Sequence, residues 1–298
     1  MMMKQTKHTL LAMASNFLLL LICYTLCRIE FLWENSSIFQ LELWSDHFWN
    51  IFRGGMVFDI SAICYTNALY AVLVLLPFHK KESKAYHRAL KWLFVIVNAL
   101  CLVMNLCDSV YYPYSFHRVT TQVFNEFGGN DNLGKIFSIE FINHWYLVLL
   151  GIIMIAALWF CYSNTMRTVQ KLRRYYVTRL LSFALTVFLL IWGIRGSIGS
   201  QYRPINVGSA YDYTPSSAEI NIVLNSPFSM IRTISKRPPT APEFFDRATL
   251  DKLYSPVHLP SDSIMPRKKN VVILIVESFA KEFIWVRRCR SRSSSRIL

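Results

Sequence analysis

MVFDISAICYTNALYAVLVLLPF, residues 56–78, contains a single charged side chain, Asp59. A helix needs about 20 mostly apolar residues to cross the hydrocarbon core of a bilayer, and this run supplies them. Working outward from it, four further runs have the same character: Thr9–Cys27, Ala89–Cys107, Trp145–Tyr162 and Val177–Ile194. The reading is therefore an α-helical membrane protein with five spans. The first run follows Lys4 and Lys7 and also has the outline of a signal peptide, but no small-residue cleavage site precedes the acidic stretch Glu30–Asp46, so it is read as an uncleaved span.

Composition agrees. The chain has 298 residues, 53% of them hydrophobic and 15% aromatic, with a positive mean hydropathy. Its net charge of +14 would point to nucleic acid if the basic residues formed one stripe of a soluble domain. They fall instead in short clusters between apolar runs, so nucleic acid is excluded as a partner and the lipid bilayer takes its place. Cys23, Cys27, Cys64, Cys101, Cys107 and Cys161 lie in or at the ends of apolar runs, and Cys289 lies near the C-terminus. No disulfide framework or zinc spacing is present, and the thiols read as small hydrophobes.

Orientation follows from the loops, because Lys and Arg are retained on the cytoplasmic side. Lys80, Lys81, Lys84, Arg88 and Lys91 cluster after the second span, and Arg167, Lys171, Arg173, Arg174 and Arg179 after the fourth. The intervening stretches, Arg28–Asn50 and Asp108–His144, carry few basic residues. Five spans with the N-terminus inside put everything after about Arg195 outside. Trp49, Trp92, Trp145, Trp192 and the cluster Tyr111, Tyr112, Tyr114 sit near span ends, as interfacial anchors should.

Polar groups inside spans are functional candidates by default. Asp59, six residues after Arg53, reads as half of a packing pair with it or as the lining of an external cavity for a lipid head group. Its place near the boundary predicts a wetted carboxylate. Asn67, Asn98 and Asn105 are read as hydrogen-bonding between helices. His79, His87 and His144 are isolated near membrane faces and read as solvated.

Three segments are expected: a transmembrane domain, 1–198; an extracytoplasmic helix and linker, 199–268; and the start of a further domain, 269–298. Within the second, Ala218–Ser235 reads as a helix broken at Pro227, its Ile220, Val223, Leu224, Phe228, Met230 and Ile231 lying along the membrane and its Arg232 and Lys236 reaching phosphates of anionic head groups. Arg237–Pro242 and His258–Pro266 are Pro-rich linkers.

In the third segment the seven residues Asn270–Val276 are bounded by a Pro-containing loop and read as a buried strand of a parallel sheet. Glu277 closes it, where open α/β sheets place their ligand sites. A carboxylate there suits Mn²⁺, Mg²⁺ or Zn²⁺.

NVVILIVESF at 270–279, GGMVFDISAICYTNALY at 54–70, RGSIGSQYRPINVGSA at 195–210 and LNSPFSMIRT at 224–233 together resemble the lipoteichoic acid synthase-like phosphoglycerol transferases and the related membrane sulfatases of the alkaline phosphatase superfamily. The resemblance implies an enzyme of the bacterial cytoplasmic membrane that cleaves or transfers phosphate or sulfate esters outside it. It maps one ligand of the catalytic divalent metal onto Glu277 and implies a downstream Thr or Ser nucleophile and a late Asp-His pair; Ser278 does not correspond to the nucleophile. After Ile284 this chain departs from the family pattern. Residues 285–298 hold five Arg, four Ser and no acid, which reads as out-of-frame translation ending an inactive fragment, or else as a basic tail for anionic lipid. The rival to the enzyme-family reading is a non-enzymatic membrane module that docks lipid or a partner.

Overall fold

The computed structural model describes residues 2–39, 41–42, 44–75, 84–121, 123, 139–140, 142–164, 172–196, 204–234, 244–254 and 272. Among them regular structure is entirely helical. The long elements are α1 (Met2–Glu34), α2 (Asp46–Thr66), α3 (Ala68–Leu75), α4 (Lys84–Ser115), α5 (Trp145–Phe160) and α6 (Leu172–Arg195). A 3₁₀ helix (Val207–Asp212) and the short helices α7 (Ile220–Val223), α8 (Ser226–Thr233) and α9 (Arg247–Leu253) follow. The chain divides into two compact units, Met1–Pro239 and Thr240–Leu298; α9 belongs to the second.

Two helices are long and apolar enough to cross a membrane, His8–Glu34 and Lys84–Ser115, and the bent pair α2–α3 makes a third if it is one span. The apolar helices Trp145–Phe160 and Leu180–Arg195 are shorter. The expected second span is thus not straight: it turns by 57° at Asn67. Hydroxyl and amide side chains compete there for the helical carbonyls, with Thr66 Oγ1 donating to Ala62 O (2.9 Å) and Asn67 Nδ2 to Ile63 O (3.0 Å). An apolar run does not record such a bend, because hydropathy is blind to where backbone bonds are exchanged.

Side-chain bonds at both ends of the bundle order the helices. Toward one end, Asn16 of α1 donates to Tyr70 Oη of α3 (3.0 Å) and to Ser163 O just beyond α5 (3.1 Å). Toward the other, Tyr146 at the start of α5 donates to Glu34 Oε2 at the end of α1 (2.7 Å). α1 and α5 therefore run antiparallel. Between them Asn67 and Asn98 exchange reciprocal amide bonds of 3.0 and 2.7 Å, joining the α2–α3 bend to α4 as expected of helix-linking asparagines. Pro113, in the last turn of α4, has no N–H for the carbonyl of Ser109; Asn35 Nδ2 supplies that donor instead at 3.0 Å.

The apolar side chains of residues 220–228, expected to lie along a membrane, are covered by protein instead. α7 and α8 pack against α1, α2 and α4, with Ile220, Val223, Leu224 and Phe228 all buried. The break falls at Leu224–Asn225 rather than at Pro227. Asn225 is an N-cap whose side chain accepts from Phe228 N (2.9 Å), and Pro227 sits in the first turn, where a missing N–H costs nothing. Tyr112 also departs from its expected place: it is 1% exposed, its ring 5.3 Å from Phe39 and 5.0 Å from Phe31, whereas Tyr114 is exposed.

Candidate functional site

The C-terminal parts of α1 and α4 and the middle of α2 enclose charged groups that residues 220–229 cover. Arg28, from the last turns of α1, donates through Nη2 to Asp59 Oδ1 (2.5 Å) and Gly55 O (2.9 Å). Its Nη1 faces the carbonyls of Ile222, Val223 (2.8 Å) and Leu224 (3.4 Å). Those carbonyls are the ones that a helix ending at Val223 leaves unpaired, so a cation there completes both the bonds and the dipole. Asn225 Nδ2 adds a second donor to Asp59 Oδ1 (2.9 Å). Arg28 and Asp59 side chains are 3% and 1% exposed, so Asp59 is dry rather than wetted.

Arg53 is not the partner of Asp59. It is exposed, and its charge acts on Tyr213, whose phenol burial pushes up and Arg53 draws back down. The adjacent glycines explain why no side chain intervenes. A Cβ on Gly54 would meet the Tyr213 ring at 2.5 Å, and one on Gly55 would collide with the Arg28 guanidinium.

A second buried pair lies alongside. Arg118 Nη1 is 3.3 Å from Asp108 Oδ2 and its Nε donates to Asn221 O (2.7 Å), while its guanidinium carbon sits 3.5 Å from the centre of the Phe31 ring. Burial pulls the Arg118 pKa down, and the Asp108 carboxylate opposes that pull. Ser226 closes the set, its hydroxyl donating to Asp108 Oδ2 (2.6 Å) and its N–H to Asn105 Oδ1 (3.1 Å). Asn105 thus joins α4 to the returning segment. Glu30 is bound by the Ser109 hydroxyl (2.6 Å). On the rim, Glu219 accepts from Thr214 Oγ1 (2.5 Å) and lies 2.8 Å from His47 Nε2. His144 is not isolated: Nε2 is 3.6 Å from Glu34 and Nδ1 3.3 Å from Glu140.

This arrangement is a latch. Arg28 holds a carboxylate and several backbone carbonyls and Arg118 a carboxylate and one carbonyl, so its chemistry is attachment of residues 221–226 to the helices. Among the described residues no group of three or more His, Cys, Asp or Glu has metal-binding geometry. Glu277, Ser278 and the expected strand lie outside the described residues, as do Lys236 and Cys289; Val272 is described, without regular secondary structure.

No family model, curated protein or solved structure matches the chain. The latch residues Arg28, Asp108, Arg118 and Asn221 carried little sequence signal, since each stands beside an apolar run where a loop residue is equally at home. Asn225-Ser226-Pro227 did carry one, being an N-cap followed by proline in the first turn.

Proposed function

We propose that this chain is the membrane anchor of a protein related to the lipoteichoic acid synthase-like phosphoglycerol transferases and membrane sulfatases. In this reading five spans, N-terminus cytoplasmic, carry an extracytoplasmic segment and then the opening strand of an ester-cleaving domain at 269–298. Glu277 would be one ligand of a divalent metal, which acidifies a nucleophile and neutralises charge on ester oxygens when bound. The anchor's own residues do something else: they hold the segment leading to that domain against the helices.

One observation supports the reading. Two of the stretches on which the resemblance rests, Gly54–Tyr70 and Leu224–Thr233, meet in the latch. Asp59 bonds Asn225 across a separation of 166 residues, and the rings of Phe58 and Phe228 stand edge to face at 4.9 Å. Motifs shared for the sake of an anchored catalytic segment should be found in contact with each other.

Reporter fusions test the topology. A reporter active only outside the cytoplasm should be active when joined after Asn130 or Thr240 and silent after Glu82 or Gln170; activity after Gln170 or silence after Thr240 overturns it. For the chemistry, the reading gives this chain one metal ligand, Glu277, and no nucleophile, so no Mn²⁺-dependent phosphodiester cleavage is expected of it. Such turnover by this chain would refute that assignment.

A further inference from the structure

Among the described residues, the guanidinium groups of Arg28, Arg118 and Arg232 pack against the helices of the first unit, and the last differs from the others. Arg28 and Arg118 each hold a carboxylate. Arg232, in the last turn of α8, has none among the described residues. Its Nε and Nη2 are shielded from solvent and have no hydrogen-bond partner. These two nitrogens share one edge of the guanidinium, the fork that grips two oxygens of a single oxyanion. The Ser229 hydroxyl, three residues earlier on the same helix and 2% exposed, is likewise without a partner. Positions i and i+3 are neighbours on a helix surface. The group also lies 5.3 Å from the centre of the Tyr65 ring and 5.5 Å from that of Phe228, which hold a cation in place without neutralising it.

Arg232 is half-buried, but the fork formed by Nε and Nη2 is shielded from solvent, and a shielded charged fork is costly unless an anion completes it. We infer that Arg232 and Ser229 form a binding site for a phosphate oxyanion. A carboxylate would occupy the fork with both its oxygens and leave Ser229 unmet, whereas a phosphate has a further oxygen for the hydroxyl. In a chain with helices long enough to cross a membrane, that phosphate comes from a phospholipid head group or from solution. The inference rests on the membrane reading, which the reporter fusions test, and not on the enzyme-family reading, whose turnover assay fails or succeeds independently of it.

The test uses the full chain in detergent, stripped of lipid and offered phosphatidylglycerol, a phosphate-free glycolipid or inorganic phosphate. Lipid retention is read by native mass spectrometry and thermal shift. The unaltered chain should retain phosphatidylglycerol over the glycolipid and gain thermal stability from it, and Arg232→Gln should lose about tenfold or more in retention, as expected for a charged hydrogen-bonding partner. Ser229→Ala should fall between them. Arg232→Lys keeps the charge and loses the fork, so a folded Lys variant with weakened retention supports the site even if the Gln variant unfolds. Stabilisation by inorganic phosphate alone, abolished in Arg232→Lys, keeps the oxyanion site and assigns its source to solution. The site is overturned if Arg232→Gln, Arg232→Lys and the unaltered chain retain phosphatidylglycerol equally, or retain the glycolipid as well as phosphatidylglycerol, and inorganic phosphate stabilises all three alike or none of them.

Discussion

Replacing Asp59 by Asn should loosen the returning segment while leaving the helices in place. The substitution preserves size and the Oδ1 acceptor for Arg28 and Asn225, which bond it at 2.5 and 2.9 Å. What it removes is the charge opposite a guanidinium only 3% exposed. It also puts an amide where Asp59 Oδ2 now has no partner. Breaking a buried ion pair by neutralising one member costs about 3–5 kcal/mol. Arg28 keeps four backbone carbonyls, those of Gly55, Ile222, Val223 and Leu224, so Asp59→Asn should fall near the lower end, about 3 kcal/mol. That is roughly a hundredfold in the opening equilibrium of the latch. Asp59→Ala, which also strands Asn225, should reach the upper end. The double variant Arg28→Met/Asp59→Leu separates charge from capping. Ion pairs exchanged for apolar residues are often neutral, but here the carbonyls of Ile222, Val223 and Leu224 lose the Arg28 donor at about 1–3 kcal/mol each, so the double variant should stay destabilised. Hydrogen exchange at Ile220–Phe228 in detergent is the assay, with tryptophan fluorescence reporting global unfolding. Unchanged protection of those amides in Asp59→Asn would refute the latch.

Gly55→Ala should open the same amides, because its Cβ would collide with the Arg28 guanidinium, whereas Gly54→Ala should disturb the Tyr213 ring and the 3₁₀ helix instead; exchange at 204–216 against 220–228 separates the two. Phe228→Ala removes a fully buried ring set edge-on against Phe58 and should cost about 3–5 kcal/mol in thermal unfolding. Arg118→Lys keeps charge near Asp108 but loses the Nε bond to Asn221 O, and should lower stability by about 1.5–3 kcal/mol in the same measurement. Asn98→Ala, which breaks a reciprocal amide pair at the α2–α3 bend, should cost only about 0.6–1.7 kcal/mol, the range for hydrogen bonds between membrane helices.

The helices were legible because burial in lipid and burial in protein both demand long apolar runs. The bend at Asn67 was not, since Thr66 and Asn67 bond carbonyls of their own helix and leave hydropathy unchanged. Asn67 and Asn98 were identified as helix-joining because an amide in an apolar run has few other ways to be satisfied. The partner of Asp59 was not identified, because Arg53 is near in sequence and Arg28 is near in space. Ile220, Val223, Leu224 and Phe228 were recognised as needing an apolar surface, yet protein and membrane are equivalent solvents for such side chains. Only the position of Asn225 and Ser226 against Asp59 and Asp108 distinguishes them.

Composition and apolar run length, by themselves, pointed to helices long and apolar enough to cross a membrane, and the clusters of Lys and Arg gave the orientation proposed for them. Tertiary structure alone decided which buried charges meet, that residues 220–229 pack into the bundle, and that Arg232 has no carboxylate partner among the described residues. The physical reason is range. Hydropathy and charge clustering are sums over neighbours in the chain, whereas an ion pair depends on two atoms within a few ångströms whatever sequence lies between them.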